Sequence, residues 1–213
     1  MSRVNHNLIE QMTADLEPVR AITPRNGWLA VALAIVLTVL AVHVIEGLWA
    51  GIVTGRASAF FMIANALLLL LGGAATASVV AMASPRVGNR YDGAKWALAM
   101  AAVVPFAALA SIAGSGDPLA ATADPYGLDC AMKSLIASSI TGVTLIAWLR
   151  RGAPVSLAAA GWQTGIAAGA LGSLAYGMSC PLDDVVHLGL YHVLPVGIAG
   201  VIGRLVVPKL VRW

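Results

Sequence analysis

Apolar residues along this chain are gathered into six long runs, separated by short stretches that carry most of the polar side chains. Each run has about 20 residues, the length a helix needs to cross a hydrocarbon core of about 30 Å. The runs are predicted at residues 28–49, 58–83, 94–113, 130–149, 155–176 and 185–207. In lipid, only a helix satisfies every backbone N–H and C=O group within one segment. The expected fold class is therefore an all-α membrane protein, a six-transmembrane-helix bundle in a lipid bilayer.

Composition supports this interpretation and narrows the functions available. Of the 213 residues, 59% are hydrophobic and 11% are charged, whereas soluble domains carry about 25% charged residues. The runs leave only residues 1–27 and short loops outside the bundle, which is too little for a soluble catalytic domain or a nucleotide-binding unit. The chain is thus predicted to have two parts, a head at 1–27 and a membrane domain at 28–213, with no enzymatic activity and no cofactor.

The distribution of basic residues predicts the orientation. Eleven of the thirteen Lys and Arg residues fall in the head, the second and fourth loops and the tail, whereas Arg56 and Lys133 fall on the opposite side. By the positive-inside rule, both termini are expected in the cytoplasm. The net charge of +3 then reflects orientation and not direct binding of nucleic acid. The first run begins behind a head of mixed charge, which is unlike a cleaved signal peptide.

Small residues recur at spacings of three and four in the last two runs. They are Gly161, Gly165, Gly169 and Gly172 in the fifth run and Gly197, Gly200 and Gly203 in the sixth. Such residues allow helix backbones to approach closely. The pattern predicts tight packing between these helices.

The head contains a narrow apolar stripe. Val4, Leu8, Met12 and Leu16 recur every four residues, with Ile9 beside Leu8, and this predicts an amphipathic helix. Pro18 is expected to stop it. Helices that lie on membrane surfaces are usually rich in Lys and Arg on the polar face, whereas this polar face is acidic. A groove on a soluble cytoplasmic partner is therefore the favoured docking site for the stripe.

Two cysteines, Cys130 and Cys180, fall on the outer side of the predicted topology. In an oxidising periplasm such a pair can form a disulfide or cycle between thiol and disulfide. Two nearby thiolates can also capture a thiophilic metal transiently. An inert pair of small buried side chains is the remaining alternative.

Five further polar residues lie at a similar depth and are candidates for supporting the cysteines: His43, Glu46, Lys133, Asp183 and His187. Lys133 follows Cys130 by three residues, and a cation there would favour the thiolate. Asp183 and His187 are one helical turn apart. A metal site would use the two cysteines with one or two of His43, Glu46 and His187 as ligands. The cysteines lack the paired CxxC spacing typical of structural zinc sites.

Several segments together resemble the NrsF family of bacterial anti-sigma factors. The matching segments are Leu16-Glu17-Pro18-Val19-Arg20, Cys130, Leu149-Arg150-Arg151-Gly152-Ala153-Pro154, Gly161 to Tyr176, Cys180-Pro181, and Gly203-Arg204 through Arg212-Trp213. The resemblance covers nearly the whole chain. The chain departs from the family pattern at Ser179 and Leu190, where members often carry His and Trp.

This resemblance implies a multi-pass protein of the bacterial inner membrane that holds an ECF sigma factor inactive. It implies that the head contributes to sequestering the sigma factor and that Cys130 and Cys180 sense heavy-metal or oxidative stress. A membrane thiol oxidoreductase and a small transporter remain as alternatives. The first would need a further thiol pair or a quinone site, and the second would need ionisable groups near the bilayer midplane.

Overall fold

The structure, a computed structural model, describes residues 3–14, 22–85 and 93–211, and these residues form helices joined by short loops. The helices are α1 (Arg3–Ala14), α2 (Pro24–Glu46), α3 (Ala50–Val53), α4 (Ala59–Met82), α5 (Gly93–Ala101), α6 (Val103–Gly114), α7 (Pro118–Ala121), α8 (Gly127–Leu149), α9 (Leu157–Gly177), α10 (Val185–Tyr191) and α11 (Leu194–Leu210). No strand occurs in the part of the chain that the structure describes.

Five segments among the described residues are long and apolar enough to cross a membrane. They are Pro24–Glu46, Ala59–Met82, Gly93–Gly114, Gly127–Leu149 and Val185–Leu210. The prediction of an all-helical, multi-pass membrane protein is confirmed. The fifth predicted run forms the 21-residue helix α9, which lies outside this set because its glycines and Gln163 make it less apolar. The count of six spans therefore stays a prediction.

Helix α9 lies at the centre of the bundle, in contact with α4, α8 and α11. A helix enclosed by other helices needs small residues for packing more than large residues for contact with lipid. Gly165 lies so close to α11 that an added Cβ would overlap the carbonyl of Ala199, and one at Gly172 would overlap the backbone of Ser138 in α8. The prediction of tight glycine packing is confirmed here. Gly197 is an exception, with open space around it.

Two predicted runs are not continuous helices, so the sequence interpretation was wrong in this detail. Pro105 has no N–H to donate to the carbonyl of Ala101. Helix α5 ends at Ala101, and α6 begins at Val103. Pro195 likewise cannot donate to the carbonyl of Tyr191, and α10 ends there. The second break leaves His192 and Val193 between α10 and α11.

The first membrane helix begins at Pro24 and ends at Glu46, earlier at both ends than the predicted 28–49. Gly47 has a φ of +78°, which glycine adopts without steric cost and which ends the helix. Helix α1 confirms a helical head over Arg3–Ala14. The side chain of Val4, residue Leu16 and the expected stop at Pro18 lie outside the described residues.

Loops 47–58, 115–126 and 178–184 meet at one end of the bundle, which we call the cysteine end. The backbone N–H of Trp49 donates to the carbonyl of Met178 at 3.0 Å. Asp183 accepts hydrogen bonds from Ser58, at 2.5 Å from the backbone N–H and 2.6 Å from the hydroxyl. These contacts tie the loop that contains Cys180 to the start of α4.

Candidate functional site

The two cysteines lie side by side at the cysteine end. Their Sγ atoms are 3.8 Å apart although the residues are 50 positions apart in the sequence. Cys130 lies in the first turn of α8, and Cys180 lies in the loop that follows α9. Both are free thiols. The contact therefore joins the ends of two adjacent helices of the bundle.

His187 extends the thiol pair toward a carboxylate. Its Nε2 atom lies 3.4 Å from the Sγ of Cys180, and its Nδ1 atom lies 2.5 Å from Oδ2 of Asp124. The histidine lies in the first turn of α10, where the side chain of Asp184 accepts hydrogen bonds from the backbone N–H groups of Val186 and His187. This N-cap fixes the start of α10 and so the position of the imidazole.

His192 approaches the same point from the break between α10 and α11. The donor atoms of Cys130, Cys180, His187 and His192 all lie within 4.8 Å of one another. We call these residues the four-donor cluster. Each of its members is between 1% and 4% exposed. The Nε2 atom of His192 is buried and has no hydrogen-bond partner.

Aromatic side chains enclose the cluster. The Tyr176 hydroxyl lies 3.7 Å from the Sγ of Cys130, and its ring stacks on His192 with centroids 6.0 Å apart. The Tyr191 hydroxyl donates to the carbonyl of Thr122 at 3.1 Å. The Tyr191 ring also covers Gly127, where any Cβ would collide with it. Tyr191 thus holds the loop that contains Asp124 against α10.

Of the five predicted supporting residues, only His187 contacts a cysteine. Lys133 forms ion pairs with Glu46 and Asp129, both at 3.0 Å, so its ammonium group is paired with carboxylates. His43 is exposed and lies outside the cluster. Asp183 does not orient His187, because its carboxylate is bonded to Ser58. Among the described residues, His192 lies with the two cysteines and His187, whereas His43 and Glu46 do not.

Sequence reasoning missed Asp124, Tyr176 and His192 as parts of the site. His187 and His192 are five residues apart, a spacing that places two side chains on different faces of a continuous helix. Pro195, three residues after His192, was the available signal, because it predicts a break that reorients the second histidine. Asp124 lies in a loop, and no local pattern connects it to residue 187.

Two groups in the loops of the site have altered acidity. Burial raises the pKa of Asp124, but the hydrogen bonds from His187 and from the backbone N–H of Tyr126 outweigh it, and the net effect is a lowered pKa. Asp124 therefore remains a carboxylate, which accepts a hydrogen bond from the Nδ1–H group of His187. The hydrogen bond with Cys130, followed by burial, raises the pKa of the Cys180 thiol.

The arrangement supports two kinds of chemistry. An oxidant can convert the adjacent thiols into a disulfide, since each sulfur is already in contact with the other. A thiophilic cation can displace the thiol protons and bind the sulfurs directly. Disulfide formation would draw the first turn of α8 and the end of α9 closer together, because an S–S bond is about 2.05 Å long and the sulfurs are 3.8 Å apart. A bound cation would tie the same two segments to each other.

The comparison with known families identifies the class of protein. A model of the NrsF family, negative regulator of sigma F, matches residues 12–213. This chain belongs to the NrsF family, and the resemblance seen in the sequence is confirmed. Membership makes the protein a negative regulator of a sigma factor, in a family of regulators and not of enzymes. No curated protein and no solved structure matches the chain.

Proposed function

We propose that this protein is an anti-sigma factor of the bacterial inner membrane, with both termini in the cytoplasm, that sequesters an ECF sigma factor. Release of the sigma factor follows when Cys130 and Cys180, on the periplasmic side, react with a heavy-metal ion or an oxidant. The observation that carries the proposal is the 3.8 Å contact between the two thiols in a member of a family of sigma-factor regulators.

The cytoplasmic contact is assigned to the apolar stripe of α1. Leu8, Ile9 and Met12 are each more than half exposed. Val4 and Leu16 continue the spacing in the sequence. An amphipathic helix of this kind binds by laying its apolar residues into a groove on its partner. An ECF sigma factor with such a groove would cover the stripe and lose the surface it needs for transcription.

The signal has a direct route through the helices. Cys130 belongs to α8 and Cys180 follows α9, and these helices are in van der Waals contact at Gly172 and Ser138. Helix α9 also packs closely on α11 through Gly161 and Gly165. A closely packed interface responds to a local change by shifting as a unit, not by deforming smoothly. Movement of α8 against α9 would thus reach the opposite end of the bundle.

For this route to release the partner, the two states must differ in affinity for it. A ligand shifts such an equilibrium only by its own differential affinity for the two states. The reacted thiol pair is assigned to the state that binds the sigma factor weakly. Oxidants and metal ions then act on the same equilibrium.

The test is copurification of the full chain, solubilised in detergent, with candidate ECF sigma factors. Leu8→Ser with Met12→Ser should reduce recovery of the sigma factor at least 10-fold. The control is Glu10→Ser on the opposite face of α1, which should recover as much as the wild type. Equal recovery by both variants would overturn the assignment of the sigma contact to the stripe. Failure of the wild type to recover any ECF sigma factor would overturn the anti-sigma proposal.

A second experiment tests release. Diamide or Cd²⁺ added to the purified complex should dissociate the sigma factor from the wild type and leave it bound to a chain carrying Cys130→Ser and Cys180→Ser. Dissociation from both chains would show that the thiols are not the sensor.

A further inference from the structure

We propose that the four-donor cluster is a preformed tetrahedral binding site for a thiophilic divalent cation with a filled d shell, Zn²⁺ or Cd²⁺. The ligands are the Sγ atoms of Cys130 and Cys180 and the Nε2 atoms of His187 and His192. The site binds the cation whether or not a sigma factor is present. The role of cation binding in releasing the sigma factor rests on the proposed function.

Two distances in the cluster match those of a tetrahedral site. Zinc binds sulfur at about 2.3 Å and imidazole nitrogen at about 2.0–2.1 Å, so two sulfurs at the corners of a tetrahedron are about 3.8 Å apart and a sulfur and a nitrogen about 3.6 Å. The two Sγ atoms are 3.8 Å apart. The Sγ of Cys180 and the Nε2 of His187 are 3.4 Å apart. The cation would therefore require only small movements of these side chains.

The tautomer of His187 suits a metal ligand. Its Nδ1 atom lies 2.5 Å from Oδ2 of Asp124. A carboxylate can only accept a hydrogen bond, so the proton of the neutral ring is on Nδ1. Nε2 is then left with a free lone pair toward Cys180. Metal-binding histidines commonly donate their other N–H to a carboxylate, which fixes the ring and increases its basicity. Asp124 is a positioning residue in this site and not a ligand.

His192 supplies an independent sign that something binds here. Its ring is 2% exposed, and its Nε2 atom is buried without a hydrogen-bond partner. Burying an imidazole nitrogen without a partner costs free energy that most native structures avoid. The ring is held by stacking on Tyr176 and by an edge contact with His187, at 5.3 Å between centroids. A metal ion within the cluster would satisfy the unpaired nitrogen.

The charges balance when the cation binds. Both thiols lose a proton to solvent as the two metal–sulfur bonds form, and the two neutral imidazoles lose none. Two thiolates and one divalent cation leave the cluster with no net charge, which lowers the cost of placing an ion at the end of a membrane bundle. Softer donors also favour Zn²⁺ and Cd²⁺ over Mg²⁺ and Ca²⁺, which prefer oxygen ligands.

The experiment titrates Cd²⁺ and, as a spectroscopic probe, Co²⁺ into the full chain, purified in detergent with reduced thiols and stripped of metal with a chelator. The wild type should bind one ion, with sulfur-to-metal charge-transfer absorption and the visible spectrum of tetrahedral Co²⁺. His192→Gln should weaken binding at least 10-fold and change the Co²⁺ spectrum. The matched control is His43→Gln, an exposed histidine at the same end of the bundle, which should titrate like the wild type.

Three outcomes would overturn the site: no charge-transfer absorption in the wild type, an octahedral Co²⁺ spectrum, or equal affinities of His192→Gln and His43→Gln. His187→Gln provides a second variant, because its ring is held by different contacts from those of His192. Copurification of the sigma factor is measured on the same preparations. A chain that binds Cd²⁺ tightly without ever binding a sigma factor would retain the site and refute the proposed function. A chain that binds its sigma factor but no Cd²⁺ would retain the anti-sigma function and refute the metal site.

Discussion

The Nδ1 atom of His187 lies 2.5 Å from a carboxylate oxygen of Asp124, a residue 63 positions earlier in the chain. This contact joins the loop before α8 to the start of α10. It also directs Nε2 of the imidazole toward the Cys180 thiol, 3.4 Å away. A carboxylate that contacts neither cysteine thus orients the imidazole beside the thiol pair.

Replacing this carboxylate should weaken metal binding while leaving all four donors in place. Asp124→Asn removes the negative charge that selects the Nδ1–H tautomer, and losses of about 10–100-fold in metal affinity are typical for such partners. Titration of the detergent-solubilised chain with Cd²⁺ measures the change. Asp117→Asn serves as the control, because Asp117 caps the short helix α7 in an exposed position. Equal affinities of the two variants would show that Asp124 does not position His187.

Oxidation should link Cys130 to Cys180 within one chain. Diamide takes up two hydrogen atoms as the two thiols, 3.8 Å apart, form one disulfide. The product should lose both sites for maleimide labelling and two hydrogen atoms of mass, without forming dimers. Chains loaded with Cd²⁺ beforehand should react much more slowly, since their sulfurs are bound to metal. Disulfide-linked dimers as the main product would contradict the contact between the thiols.

The predicted topology can be tested with single cysteines in a chain that carries Cys130→Ser and Cys180→Ser. Ser115→Cys and Pro181→Cys, both exposed at the cysteine end, should react with a membrane-impermeant maleimide in spheroplasts. Val155→Cys, exposed at the opposite end, should react only after lysis. If 155 and 181 were labelled from the same side, α9 would not cross the membrane and the chain would not have six spans.

The contact between α9 and α11 should be intolerant of a single methyl group. Gly165→Ala would place a Cβ against the carbonyl of Ala199, and overpacking of this kind costs about 1–3 kcal/mol. Gly197→Ala is the matched control on α11, since nothing lies within 4 Å of its added Cβ. The melting temperature in detergent should fall for the first variant only. A fall of the same size for both would indicate an effect of alanine on helix formation and not of packing.

Much of the architecture could be predicted from local patterns. Hydropathy identified the five helices that are long and apolar enough to cross a membrane, because a segment in lipid must satisfy its own backbone. Glycine spacing identified the close contact of α9 with α11. The sequence also identified Cys130 and Cys180 as a pair on the same side of the predicted topology. Family membership was equally a property of the sequence, since the matching segments cover most of the chain.

The composition of the site was decided by the tertiary structure. Of the predicted supporting residues, Lys133 and Glu46 pair with each other, and Asp183 binds Ser58. Asp124 and His192 lie beside the cysteines and His187 instead, because the end of α9, the start of α8 and the broken helix α10–α11 converge. Periodicity reports which face a residue occupies on its own helix. Pro195 marks the break in the sequence, but which side chains from different helices meet depends on how the helices pack, and this is not encoded in the spacing of any one segment.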